Sequence, residues 1–136
     1  MDQFLRQKNS NAQKDVNNKL IQEDETLLLI LDMQEKLISN IKDNKILIFN
    51  IKKLIHACNL LNVSIAITEQ NPLKLGRTLE SILENKEYPK FEKMTFSCSK
   101  EKSFIDYVKN NNFKNIIVCG IESHICVLQT SIELLR

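Results

Sequence analysis

Three short, largely apolar runs constrain this chain more than anything else in it. Thr26 to Leu31 runs into Asp32, Val63 to Thr68 into Glu69, and Ile116 to Cys119 into Gly120. Runs of this length suit strands buried on both faces. Between the first two, Leu47, Ile51, Leu54, Ile55, Cys58 and Leu61 recur at helical spacing, which predicts an amphipathic helix over Lys45 to Leu61. Strands alternating with helices predict βα units and a mostly parallel sheet in an α/β fold. Ligands of such sheets bind at the carboxyl ends of the strands. Asp32, Glu69 and the Gly120 to Cys126 loop all fall at those ends.

The remaining pattern fills in around this frame. Residues 1–24 are a polar leader rich in Asn, Gln and Lys, expected to be disordered or loosely docked, and residues 25–136 form the domain. Glu69 to Leu75 reads as a loop containing Pro72, Thr78 to Glu84 as a short helix, and Pro89 to Met94 as an extended segment. Phe104, Ile105 and Val108 mark a helix after Ser99, a candidate N-cap. Val127 onward is helical and still running at Arg136 without a Gly, Asn or Pro stop. A sheet whose last strand is followed by a cut helix reads as C-terminally incomplete.

Bulk chemistry narrows the function classes. A net charge of +2 gives no electrostatic reason for a nucleic-acid or membrane partner. The longest uninterrupted apolar run, Leu27 to Leu31, is far short of the ~20 residues that span a bilayer, and the N-terminus lacks a signal-peptide core. The expected location is the cytoplasm, where a disulfide framework among Cys58, Cys98, Cys119 and Cys126 is not expected. Cys119, His124 and Cys126 do not make a zinc ligand set at the usual spacing.

Several residues stand out chemically. Cys126 precedes a helix, where N–H groups and the helix dipole favour a thiolate; its bland reading is a small buried apolar residue. Asp32, following an apolar strand, would be partly desolvated and suited to accept a proton near neutral pH, or it is simply an N-cap or loop residue. Lys93, within Phe91-Glu92-Lys93-Met94-Thr95-Phe96-Ser97, either points inward to neutralise a carboxylate or snorkels at the surface. His124 suggests a Cys-His dyad, although triad partners usually come from distant segments. His56 lies near the core-facing stripe of the first helix and reads as structural. Glu69 and Gln70 either line a pocket or open a solvated loop.

Together these pieces resemble the isochorismatase-like cysteine hydrolase family. The resemblance is carried by Leu28-Leu29-Ile30-Leu31-Asp32-Met33-Gln34, Thr68-Glu69-Gln70-Asn71-Pro72, Phe91 to Ser97, and Gly120-Ile121-Glu122-Ser123-His124-Ile125-Cys126-Val127-Leu128-Gln129-Thr130, and it covers about Thr26 to Arg136. It implies a three-layer α/β/α fold with a Rossmann-like parallel sheet of about six strands, of which this chain supplies four. It implies a catalytic triad of Asp32, Lys93 and Cys126. It implies a non-proline cis peptide near Ile121-Glu122, with backbone N–H groups around Ile125 and Cys126 forming an oxyanion hole. Gln34, Glu69 and Gln70 would border the substrate. Metal-dependent nicotinamidases of the superfamily carry an Asp-x-His motif and a further histidine after the second strand. Here that segment is Thr68-Glu69-Gln70-Asn71-Pro72, so neither a metal nor another cofactor is expected. Isochorismatase proper lacks the nucleophilic cysteine.

The expected function is therefore a metal-independent hydrolase acting on a small amide or related acyl compound through a thioester, as a homo-oligomer when at full length. The competing readings are a non-catalytic oligomeric or regulatory protein on the same scaffold and a redox-sensing thiol protein.

Overall fold

A computed structural model describes residues 20–136 of the chain, so most of the polar leader lies outside the described residues. A 3-10 turn at Glu23–Glu25 leads into β1, Thr26–Leu31. The other strands are β2, Ser64–Gln70; β3, Lys90–Lys93; and β4, Asn115–Gly120. They form one parallel sheet in the order β3-β2-β1-β4. The helices are α1, Glu35–Ile38; α2, Asn44–Leu60; α3, Pro72–Leu75; α4, Glu80–Leu83; α5, Lys102–Asn110; and α6, Leu128–Leu134. This is the expected α/β architecture.

The leucine-rich β1 is buried along its whole length because it is covered on both faces. Its side chains alternate between two cores. Leu28 and Ile30 pack with Ile51, Ile55 and Cys58 of α2 and with Ile82 and Leu83 of α4. Leu27, Leu29 and Leu31 pack with Ala66, Cys98 and Phe104 on the opposite face. Full burial of each such side chain stabilises the fold by about 1.5–3 kcal/mol, which fits the unbroken apolar run from Leu27 to Leu31.

Several local expectations are corrected. β2 continues through Glu69 and Gln70, which therefore belong to the sheet and not to a loop, because both pair in register with β3. The segment after it holds a single helical turn, α3, started by Pro72 at its first position. Ser99 does not cap α5. The Ser97 side chain accepts from the Ser99 N–H and opens a 3-10 turn at Cys98–Lys100, and α5 begins only after Glu101. β4 is half-buried and not fully buried, since among the described residues it pairs on one side only, with β1. His56 is exposed on α2, off the core-facing stripe of Ile51, Ile55 and Cys58.

Gly120 ends β4 opposite Leu31. Its φ is 139°, and a Cβ there would sit 2.2 Å from the Leu31 carbonyl oxygen. Only glycine lets β4 approach β1 this closely while turning toward the Cys126 segment.

Candidate active site

Asp32 turns the chain at the end of β1. It adopts a left-handed conformation with φ 54°, one that Asp tolerates better than most residues. Its N–H donates to the Thr68 carbonyl at 3.2 Å, and its own carbonyl accepts from the Gln34 N–H at 2.7 Å. The side chain is thereby held under the ends of β2 and β3, fully buried. Thr68 Oγ1 donates to Oδ1 at 2.8 Å, and Lys93 Nζ donates to Oδ2 at 2.8 Å.

Lys93, the last residue of β3, reaches across the end of β2 to make that contact. It does not snorkel: its side chain is buried completely. Besides Asp32, its ammonium donates to Gln70 Oε1 at 2.8 Å, to the Phe96 carbonyl at 3.0 Å and to the Thr95 carbonyl at 3.4 Å. Cys126 Sγ lies 3.6 Å from the same nitrogen. A buried ammonium requires such a shell, because each of its protons would otherwise be desolvated without compensation.

Cys126 comes from the far side of β1. After Gly120, Glu122 bends the backbone with φ 59°, and Ser123–Val127 form a π-helical turn that continues into α6. The Glu122 carbonyl accepts from both the Ile125 N–H at 3.0 Å and the Val127 N–H at 3.3 Å. No peptide bond among the described residues is cis, so the bend expected at Ile121-Glu122 is made by the left-handed Glu122 instead. The expected oxyanion loop is corrected further. Ile121 is buried and its N–H donates to the Leu31 carbonyl at 3.3 Å, and the Ile125 N–H is already given to Glu122.

Burial works against the thiolate that the helix start favours at Cys126. Burial pushes the thiol up to about 11, reinforced by the negative charge of Asp32 and a hydrogen bond to it; Lys93 acts in the opposite direction but does not win. Cys98 and Cys119 are pushed up to about 12, again chiefly by burial. The Cys126 proton is thus held beside a carboxylate able to receive it. Loss of that proton places a sulfur anion against an ammonium.

The remaining singled-out residues have other roles. Gln34 is buried and staples the scaffold: its Oε1 accepts from the Gln70 N–H at 2.7 Å, and its Nε2 donates to the Gln70 and Gly76 carbonyls. Glu69 is turned away from Asp32. Its carboxylate accepts from the Thr78 N–H and hydroxyl, both at 2.8 Å, and from Arg77 at 2.9 Å. Despite the cost of burial, these donors hold it below the usual carboxylate range. Gln34 and Glu69 are both buried, and their polar atoms bond to the scaffold. Gln70 does border the site, through Lys93. His124 is exposed, its Nε2 3.6 Å from the Glu122 carboxylate, and it forms no dyad with Cys126. Thr68 was missed by sequence reasoning. Its signals are a hydroxyl at the carboxyl end of an apolar strand and its place at the head of the Thr68 to Pro72 stretch; in the sheet it pairs in register with the residue preceding Asp32. No three His, Cys, Asp or Glu side chains among the described residues converge to hold a metal ion. No helix among them is long and apolar enough to cross a membrane.

Comparison with known proteins agrees with this architecture. Residues 26–136 match the isochorismatase domain. The chain is similar to isochorismatase family protein 1A of Dictyostelium discoideum, 37% identical over 118 residues that cover 82% of this chain and 56% of the relative. It is 32% identical to isochorismatase domain-containing protein 2 of Danio rerio, covering 82% of this chain and 56% of that protein. Among solved structures, a MAR1 ribonuclease from Caenorhabditis elegans superposes with a TM-score of 0.77 at 36% identity, covering 86% of this chain and 60% of the other. A cysteine hydrolase from Pseudomonas syringae shares the fold, with a TM-score of 0.75 at 16% identity over 85% of this chain and 68% of the other. The chain spans about half the length of the curated relatives it matches. The matched domain accounts for nearly all of the described residues, and with the identity to its relatives it places this chain in the isochorismatase family.

Proposed function

We propose that this chain carries the site of a cysteine hydrolase for small amides or related acyl compounds, working without a metal in the cytoplasm. One observation carries the reading. Lys93 Nζ is 2.8 Å from Asp32 and 3.6 Å from Cys126 Sγ, so three segments distant in sequence bring a base, a cation and a thiol to one buried point. Asp32 takes the Cys126 proton as the sulfur attacks the substrate carbonyl and a C–S bond forms. The carbonyl oxygen takes a hydrogen bond from the Cys126 N–H, a donor of a kind worth ~3 kcal/mol in the transition state, while the Lys93 ammonium, held by its own acceptors, supplies positive charge beside the sulfur. The C–N bond breaks as Asp32 returns the proton to the leaving amine. Asp32 then deprotonates a water that attacks the thioester, releasing the acid and restoring the thiol.

A ribonuclease reading, suggested by the name of the Caenorhabditis elegans neighbour, has less support. The net charge of +2 offers little to a polyanion, and the two histidines lie on separate exposed surfaces.

The test is turnover of a panel of small amides, with mass spectrometry of the protein during reaction. An acyl adduct on Cys126 is expected. Cys126→Ala, Asp32→Asn and Lys93→Ala should each lose about 10²–10⁴-fold, the usual worth of such groups; His124→Ala should change little, and a chelator should change nothing. Full turnover in Cys126→Ala would overturn the mechanism. A folded protein giving no adduct with any amide would favour the regulatory reading, and reversible oxidation of Cys126 without acyl transfer the redox reading.

A further inference from the structure

Lys93 is fixed by more than Asp32. Two of its acceptors, the Thr95 and Phe96 carbonyls, belong to the loop that joins β3 to α5. That loop is itself tied down at two points, both on α6. The Cys98 N–H donates to the buried Thr130 hydroxyl at 3.3 Å. Ser99 Oγ donates to Glu133 Oε2, and Lys100 Nζ lies 3.4 Å from Glu133 Oε1. Ser97 Oγ, 2.9 Å from Ser99 Oγ, completes the brace. Cys126, Thr130 and Glu133 stand four and three residues apart, so they occupy one face of the same helical segment. The face that presents the sulfur therefore also grips the loop that aims the ammonium.

We propose that Ser99 and Glu133 are positioning residues that lock the Lys93 loop to the cysteine helix and so set the distance between ammonium and sulfur. The proposal rests on the hydrolase reading of Asp32, Lys93 and Cys126 but adds to it a connection well away from the reacting atoms. Glu133 and Ser99 touch neither Asp32 nor Cys126. Their effect passes through the loop backbone, whose carbonyls hold two of the ammonium's contacts. Loosening the loop removes those contacts and lets the ammonium drift from the sulfur, while both cores stay packed, since Glu133 and Ser99 lie outside them.

The test compares alkylation of Cys126 by iodoacetate and by iodoacetamide, with peptide mapping to assign the site. The two reagents are close in size and differ in charge, so their rate ratio reports the cation beside the sulfur and is insensitive to changes in access. Lys93→Ala sets the floor of that ratio. Glu133→Ala and Ser99→Ala should each lower the ratio at least threefold toward that floor. The double variant should fall no further than either single one, as for two groups acting through one contact. Glu133→Gln, which keeps an acceptor for Ser99, should recover most of the ratio. Thermal unfolding of the Ser99 and Glu133 variants should remain close to that of the unchanged protein. If Lys93→Ala lowers the ratio and the Glu133→Ala and Ser99→Ala variants do not, the clamp is overturned and the triad stands. If Lys93→Ala itself leaves the ratio unchanged, the triad reading falls and takes the clamp with it.

Discussion

The Thr68 hydroxyl donates a hydrogen bond to Oδ1 of Asp32 at 2.8 Å, which leaves Oδ2 for Lys93. The two residues come from adjacent strands, and both are fully buried. The carboxylate is thus divided, one oxygen set by a neutral donor and the other by a cation, and it cannot rotate without breaking both. This fixed orientation is what allows a buried aspartate to face a thiol.

Replacing Thr68 with Val keeps the shape but removes the donor. A hydrogen bond to a charged group in such a place is worth about 1.5–3 kcal/mol. Urea unfolding should show a loss of that size for Thr68→Val, and Thr68→Ser should recover most of it. Equal stability of the Val and Ser variants would mean that Oδ1 finds another donor.

Lys93→Met should destabilise more severely. It strands the Asp32 carboxylate in a buried site, and breaking one side of a buried pair typically costs about 3–5 kcal/mol. Adding Asp32→Asn should restore a large part of the loss, because neither charge then remains. A double variant less stable than Lys93→Met alone would contradict this account of the pair.

Because Asp32 raises the Cys126 thiol by its charge and as a hydrogen-bond acceptor, removing the charge should lower it. The pH dependence of iodoacetamide labelling, mapped to Cys126, should be displaced to lower pH in Asp32→Asn. In the unchanged protein Cys126 should label at neutral pH more slowly than an ordinary free thiol of pKa ~8.5. Fast labelling of Cys126 at pH 7 would revive the resting thiolate.

The buried thiols also predict an alkaline limit to stability. Cys126 is held up to about 11, Cys98 and Cys119 to about 12, and Cys58 is raised as well, all mainly by burial. In the unfolded chain these groups lose their protons near their ordinary values, while the folded chain still keeps them. Their contribution to stability is therefore complete below about pH 8.5 and is lost as pH rises toward 11 and 12. Chemical denaturation at a series of pH values should show stability falling through this window, with a shallower fall when Cys98 and Cys119 are replaced by Ala or Val. A flat profile to pH 11 would show that the thiols are not protected by burial.

Much of the architecture was legible in the chain because it depends on local pattern. Apolar runs such as Leu27 to Leu31 can only be satisfied by burial on both faces, and the spacing of Ile51, Ile55 and Cys58 can only make one apolar helical stripe. The placement of Asp32 after β1 and of Cys126 after β4 follows from βα order alone. What the sequence left open was decided by contacts between distant strands. Glu69 and Gln70 are neighbours, yet strand alternation sends Glu69 to Thr78 and Arg77 and Gln70 to Lys93. Lys93 had more local reason to snorkel than to turn inward, and it points inward because β3 lies one strand beyond β2, within reach of Asp32. The state of the Cys126 proton is likewise tertiary. A helix start argues locally for a thiolate, but burial and the proximity of Asp32, set by the packing of β1 against β4, outweigh it.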